Sequence, residues 1–363
     1  MRVLVVGAGV AGLALARALH ERGIAVEVVE RAAAWEPVGA GLYLPGNAVK
    51  VLHELDVGSA VAERAHPIGR QRFLDHRGRV LAEIDVDRFW EGVGGCVALP
   101  RTALHEVLLE ATADVPVRLG TSATGLEDGD VPRASFSDGS SGSYDLVVGA
   151  DGVHSTIRTL MPSSPAARYV GQASWRFLAD GFPEIDDWTV LLGRGRAFLT
   201  VALGHGLTYC YADLNTDDPA GAAGEDWREL FADFAEPVPR LLAHGAEAYF
   251  SPIEEVVPPV WTARRVALVG DAAHASSPNM AQGAAMAIED ALVLADLLAA
   301  DQTIDQALAG YEQRRRDRVA WVQEQTHRRD RTRSLPTPVR NLTLRLAAGR
   351  IFRSHYRPLR EPA

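Results

Sequence analysis

The run RVLVV at Arg2 to Val6 is apolar and β-branched after its first residue, the pattern of a strand covered on both faces in a parallel sheet. Leu15 and Leu19 fall one turn apart in a stretch from Ala11 to Arg22 that breaks at Gly23, which predicts an amphipathic helix. A second apolar strand spans Ile24 to Val29. Farther on, the pattern predicts a helix from about Pro45 to Leu55 and a hairpin over Phe73 to Val86, broken by HRGR. A helix follows from Thr102 to Ala111, with Thr102 as N-cap, and then an apolar strand from Tyr144 to Val148. Val117 to Gly120 and Ala134 to Ser137 read as a small sheet in the same unit.

From about Arg168 to Pro252 the character changes to short strand-like segments separated by Gly and Asp turns, the mark of an antiparallel sheet. Alternation puts Arg196, Phe198 and Thr200 on one face, which is expected to roof a ligand pocket. The opposite set, Ala197, Leu199, Val201 and Leu203, is expected to pack on a helix layer, and Tyr209 and Tyr211 share a face of the next strand. A buried parallel-type strand returns at Arg265 to Val269, followed by a loop with Pro278 and a long helix beginning near Gln282. Glu289 and Asp290 read as acidic partners of that helix's macrodipole. Near the end, Val339, Leu342 and Leu346 fall on one face of a basic amphipathic helix from Pro338 to Arg353, expected to cover the mouth of the site or to form a subunit contact.

Composition narrows the class. The chain of 363 residues exceeds one core's usual size, and 47% hydrophobic with 23% charged residues is typical of a soluble globular protein. No basic leader and no uninterrupted apolar span appear, so the expectation is cytoplasmic. Two distant cysteines, Cys96 and Cys210, exclude a disulfide framework and a structural zinc cluster and read as buried small hydrophobes. The net charge of −10 hides an asymmetry: residues 311–363 hold 14 Arg against 5 acids, leaving −19 on the rest. That tail lacks any nucleic-acid reading motif and is expected to lie across the acidic body of its own chain or of a partner subunit.

Three strand ends carry the chemistry. After the first strand, Gly7, Gly9 and Gly12 form GxGxxG: a tight turn, an open approach for a pyrophosphate, and close helix packing at a helix N-terminus. Glu30 ends the second strand 21 positions after Gly9, close to the spacing that lets an acid accept from a ribose 2′-hydroxyl and repel a 2′-phosphate. Whether the dinucleotide is NAD or FAD stays open at this motif. The second strand end is GADGVHSTIR, with Asp151 and Gly152, where Asp151 reads as a ligand contact or a helix cap. The third is VGDAAHASSPNMAQG, with Asp271 and a glycine at a helix start. Gly39 and Gly41 would let backbone approach a flat ligand, and Arg101, just before a helix, would reach a phosphate or ring edge.

Together the three motifs resemble the FAD-dependent aromatic hydroxylases, single-component monooxygenases similar to para-hydroxybenzoate, salicylate and urate hydroxylases, over Met1 to about Arg318. The resemblance implies an α/β fold: a Rossmann-like FAD-binding domain with a parallel sheet (1–70, 97–167 and 253–330), a smaller α+β substrate domain with an antiparallel sheet (71–96 and 168–252), and a basic helical tail (331–363). It implies that Gly7, Gly9, Ala11 and Gly12 hold the pyrophosphate, Glu30 and Arg31 the adenosine end, and Asp271 the ribityl chain. Gly41, Arg101, Asp151, Gly152, Gln282, Gly283 and Ala284 would be further FAD contacts. The expected reaction inserts one oxygen of O2 into an aromatic or polycyclic substrate through a flavin hydroperoxide, with NADPH or NADH docking transiently as reductant. Arg176, Arg196, Tyr209, Tyr211 and Pro278 are the expected catalytic and substrate residues, in a monomer or homodimer. A flavin dehydrogenase or oxidase on the same scaffold is the alternative. The family usually has PxxGQG, so Ala281 departs from its pattern and puts a methyl beside the flavin ring.

Overall fold

The computed structural model describes residues 1–35, 40–127, 129–162, 164–224 and 226–363. Its centre is a six-stranded sheet in the order Thr262–Ala263, Val266–Leu268, Leu146–Gly149, Arg2–Val6, Ala25–Val29, Val117–Arg118, parallel except for the first pair. The helix Val10–Glu21 buries Leu15 and Leu19, and the helix Gly283–Ala299 packs beside it. The alternation of short strands and helices dictates this arrangement, because parallel neighbours need a crossover that covers the sheet.

A seven-stranded sheet forms the second layer system, in the order Tyr249–Glu255, Arg168–Ala179, Leu207–Asn215, Arg196–Gly204, Trp188–Leu192, Arg70–Asp75, Val80–Asp85. Only Trp188–Leu192 and Arg70–Asp75 pair in parallel. Its outer face buries Trp175, Phe177 and Phe198 against Trp227, Phe231 and Val238, with Trp175 and Trp227 stacked at 5.5 Å between ring centres. The helix Ile304–Arg333, opened by a capping box between Thr303 and Gln306, returns to the parallel-sheet domain, and Thr337–Tyr356 crosses to the hairpin. No helix among the described residues is long and apolar enough to cross a membrane.

Four local expectations change. The helix after Pro100 begins at Arg101, so Thr102 is its second residue and not its cap. Val117–Arg118 joins the edge of the parallel sheet, while Arg133–Phe136 sits in a separate three-stranded antiparallel sheet. The faces of Arg196–Gly204 are reversed: Phe198 packs outward into the helix layer, and Ala197, Leu199 and Val201 line the interior cavity. On the tail helix, Val339, Leu342 and Leu346 are exposed, and Arg340, Ala348 and Phe352 are the buried side. That helix buries arginine stems and small residues because it covers a cavity, not a flat apolar core.

Glu289 and Asp290 do not serve the macrodipole. Both are fully buried in the middle of their helix, where Arg315 donates to Glu289 at 2.7 Å and to Asp290 at 2.8 Å. Arg318 adds two bonds to Glu289, and Asp290 accepts from the Gly270 amide at 2.9 Å and lies 2.6 Å from His274. Burial pushes both carboxyls up. The charges of Arg315 and Arg318 on Glu289, and of His274 and Arg315 on Asp290, overcome it and hold both below the usual carboxylate range.

Replacing Arg315 by Met removes the cation shared by these two buried carboxylates, leaving Glu289 to Arg318 and Asp290 to the Gly270 amide and His274, and is expected to cost about 3 kcal/mol in urea unfolding. A carboxylate depressed in the folded state contributes fully above its unfolded value, about 4, and loses that contribution as pH falls through its folded value. The native protein's unfolding midpoint should therefore drop with acidification below about pH 4, and this drop should be much smaller in Arg315→Met.

Candidate FAD and substrate site

The three strand-end motifs interlock through their glycines. Gly7 takes φ +104°, and a Cβ there would lie 2.5 Å from the Ala150 carbonyl oxygen, so the first motif rests on the backbone of the second. A Cβ on Gly12 would meet Gly7 O at 1.9 Å, which makes glycine obligatory for the turn. A Cβ on Gly270 would meet Ala11 Cβ at 2.9 Å, so Ala11 packs the first motif against the third. Arg158, buried, donates to Ala272 O at 3.0 Å and Val153 O at 2.6 Å and ties the second motif to the third.

Gly9 differs from its neighbours. Its backbone is extended and a Cβ would touch nothing within 4 Å, so the protein's own packing does not require glycine there. The same open space lies at Gly152 and at Gly283, the first residue of a 17-residue helix. Open backbone at a helix N-terminus is what a pyrophosphate or an anionic ring edge needs, so these residues fit a flavin dinucleotide. Glu30 braces the turn by accepting from the Ala8 amide at 2.8 Å and the Ala32 amide at 2.9 Å, with lone pairs left for ribose hydroxyls.

A cavity of about 830 Å³ runs from this cradle to the antiparallel sheet. Arg31, Gly41, Arg101, Asp151 and Gly152 line it on one side, and Asp271, Pro278, Gly283 and Ala284 on another. Asp271 is exposed to the cavity with no hydrogen-bond partner among the described residues. Gly39 lies outside the described residues. Asp151 spends its carboxylate on the amides of Thr156 and Ile157 at 2.6 and 3.2 Å, so the capping reading describes its side chain. A Cβ on Gly41 would meet the Tyr209 ring carbon Cγ at 2.5 Å, so that glycine admits a tyrosine ring. Gln282 turns away from the cavity: it is buried, and its side chain accepts from Asn47 at 2.9 Å. Asn47 also donates to Glu289 at 2.8 Å. Ala281 adopts φ +49°, ψ 37°, a left-handed conformation that costs a non-glycine residue about 1–2 kcal/mol.

The substrate candidates separate. Arg176 and Tyr211 are cross-strand partners, with the guanidinium 5.6 Å from the Tyr211 ring centre. Arg176 has no hydrogen-bond or ion-pair partner among the described residues, and the buried Tyr211 hydroxyl has none either. Burial pushes the Tyr209 and Tyr211 hydroxyls up to about 12, against the pull of nearby arginines, so both are neutral donors at pH 7. Arg196 also lines the cavity, at its edge, but its guanidinium is spent on the outer layer, pairing with Asp233 at 2.8 Å and with the Leu230 carbonyl, so it has less to offer a substrate than Arg176. Its strand turns it toward the helices because alternate residues take opposite faces.

The sequence offered the tail helix as a cover for the site, but not the contacts that hold it there. Arg329 donates to Asn279 O at 2.8 Å and Tyr356 to Met280 O at 2.9 Å, holding the Pro278 loop from outside. Arg333 pairs with buried Asp213 at 2.9 Å, and burial brings its guanidinium down to about 10. His355 lines the cavity and is pushed down to about 4 by burial and then by Arg329 and Arg328, so it is neutral. The excess of tail arginines was the available signal, but their partners are backbone carbonyls and a distant carboxylate that no spacing rule reveals.

Residues 1–326 match the family model described as FAD binding domain. Aurachin C monooxygenase/isomerase of Stigmatella aurantiaca is 34% identical over 88% of this chain and 86% of its own. The FAD-dependent urate hydroxylase of Klebsiella pneumoniae is 33% identical over 88% of this chain and 87% of its own. The crystal structure of Klebsiella pneumoniae HpxO complexed with FAD and uric acid superposes with a TM-score of 0.83 at 29% identity, covering 99% of this chain and 92% of that one.

Alanine at Gly12 is expected to lower the melting temperature of the apoprotein sharply. At Gly9 it should leave it within about 0.5 kcal/mol of the parent in calorimetry, the range of a substitution that touches nothing.

Proposed function

This chain belongs to the FAD-dependent aromatic hydroxylases, and we propose that its Arg176–Tyr211 corner receives the polar edge of an aromatic substrate. It is an FAD-dependent, NAD(P)H-consuming monooxygenase acting on an aromatic small molecule. FAD, when bound, supplies two-electron transfer from NAD(P)H and activation of O2 for insertion of one oxygen atom. Everything else falls to the chain.

The Gly7–Gly12 turn would hold the pyrophosphate, Glu30 the adenosine ribose, Asp271 the ribityl hydroxyls, and Arg101 an outer part of the cofactor. The amides of Gly283 and Ala284, at the positive end of a long helix, would favour negative charge on a bound flavin. Arg176 favours the ionised form of a phenol or a carboxylate, and the neutral Tyr211 and Tyr209 hydroxyls donate to it and fix its orientation. The Pro278 loop closes the chamber from the cofactor side, excluding water with the sheet opposite.

The observation that carries the substrate reading is the pair of unspent polar groups, the Arg176 guanidinium and the buried Tyr211 hydroxyl, in the same cavity as Asp271 and the Gly283 helix start. Purified protein loaded with FAD should oxidise NADPH or NADH faster when phenolic compounds are added, and the product mass should rise by one oxygen. NAD(P)H consumption that no phenol accelerates and that adds no oxygen would overturn it. Arg176→Leu should raise KM for a phenol or benzoate about tenfold or more, a loss of about 1.4 kcal/mol or more, with FAD retained. Tyr211→Phe should stabilise the apoprotein by about 1 kcal/mol, because it deletes an unsatisfied buried hydroxyl, while weakening substrate binding.

A further inference from the structure

We infer that the substrate carries an extended apolar substituent, which lies along the antiparallel sheet beneath the tail helix while its polar aromatic head sits at Arg176 and Tyr211. The inference rests on the substrate reading above and deepens it. Cross-strand register fixes the order of side chains on the cavity face. One row runs Arg176, Tyr211, Leu199, Val190, Phe73, and the neighbouring row runs Tyr209, Val201, Trp188, Gln71, Ile84. All ten line the cavity. Each row therefore starts polar and becomes apolar, apart from Gln71, over four strand spacings, about 19 Å at about 4.8 Å each.

Polar atoms at the two ends of the cavity are treated differently. At one end the Arg176 guanidinium and the Tyr211 hydroxyl have no hydrogen-bond partner among the described residues. At the far end the polar atoms of Gln71 and Arg340 are already satisfied: Gln71 donates to the Tyr43 hydroxyl at 3.0 Å, and Arg340 donates to the carbonyls of Leu192, at 3.1 Å, and Gly193. The opposite wall is the tail helix, which contributes Leu344, Ala348, Ile351 and Phe352. A ligand group entering there finds mostly carbon on both sides, with the Trp188 indole and the neutral His355 ring as the polar exceptions, so a charged or heavily hydroxylated substituent would lose most of its water without replacement. An alkyl or prenyl-like chain gains from the same burial.

The test is a series of 4-alkylphenols from phenol to 4-hexylphenol, titrated into the FAD-loaded protein without NAD(P)H and followed by the change in the flavin absorbance spectrum. The dissociation constant is expected to fall about three- to fourfold per methylene. Ala348→Trp, which fills the chamber, should flatten the series to less than twofold per methylene. Leu344→Asp, which puts a carboxylate at the chamber's edge, serves the same end if the tryptophan variant does not retain FAD. Affinity that stays level or falls from ethyl onward, or a gain that persists undiminished in the variant, overturns the inference. Tight binding of short phenols with faster NAD(P)H oxidation would leave the functional reading standing in that event. If no phenol of any length changes the spectrum or the oxidation rate, the functional reading falls and takes this one with it.

Discussion

Arg315, with zero exposure between Glu289 and Asp290, is the interaction on which the rest of the site depends. Through Asp290 it fixes the Gly270 amide and so the position of Asp271. Through Glu289 and Asn47 it fixes Gln282, the residue just before the Gly283 helix. Two of the cofactor-facing backbone segments are thus held by one guanidinium from the Ile304–Arg333 helix. Charges taken this far from water are expensive, and they stay charged only because every oxygen and nitrogen finds a partner. The return is rigidity at the place where a ring of fixed shape must sit.

The same logic accounts for the basic tail. Its arginines neutralise an acidic body, yet few of them matter as surface ion pairs, which contribute little. Several donate to carbonyls of loops that would otherwise be loose: Asn279 O for Arg329, and Leu192 O and Gly193 O for Arg340. The tail is therefore a wall of the cavity, and its exposed Val339, Leu342 and Leu346 are what remains on the far side of a helix whose inner face is spent.

The antiparallel sheet shows how one strand divides its labour. Phe198 anchors the outer aromatic layer while Leu199, next to it, faces the cavity. The sheet is supported from outside by Trp175, Trp227 and Phe231, which leaves its inner face free to be shaped by the ligand and not by the core. Of its groups without a partner, the Tyr211 hydroxyl and the Arg176 guanidinium line the cavity together, where a ligand's polar atoms would complete them.

The residues alone determined the parallel-sheet domain, its three strand-end motifs and the long helices, because a buried strand, a glycine turn and a helical apolar repeat are local patterns that tertiary packing amplifies. They also marked Arg176, Tyr209 and Tyr211 for the antiparallel sheet. They did not determine which face of Arg196–Gly204 looks inward, since both alternating sets are apolar enough to be buried and only the neighbouring layers choose. Nor did they show that Glu289 and Asp290 are buried: acid near a helix start reads as a dipole partner until Arg315, 25 residues beyond Asp290, is brought against it. The partners of Gln282 and of the tail arginines were hidden for the same reason. These partners, Asn47 and the loop carbonyls, are distant in sequence, and only the folded chain puts them within reach.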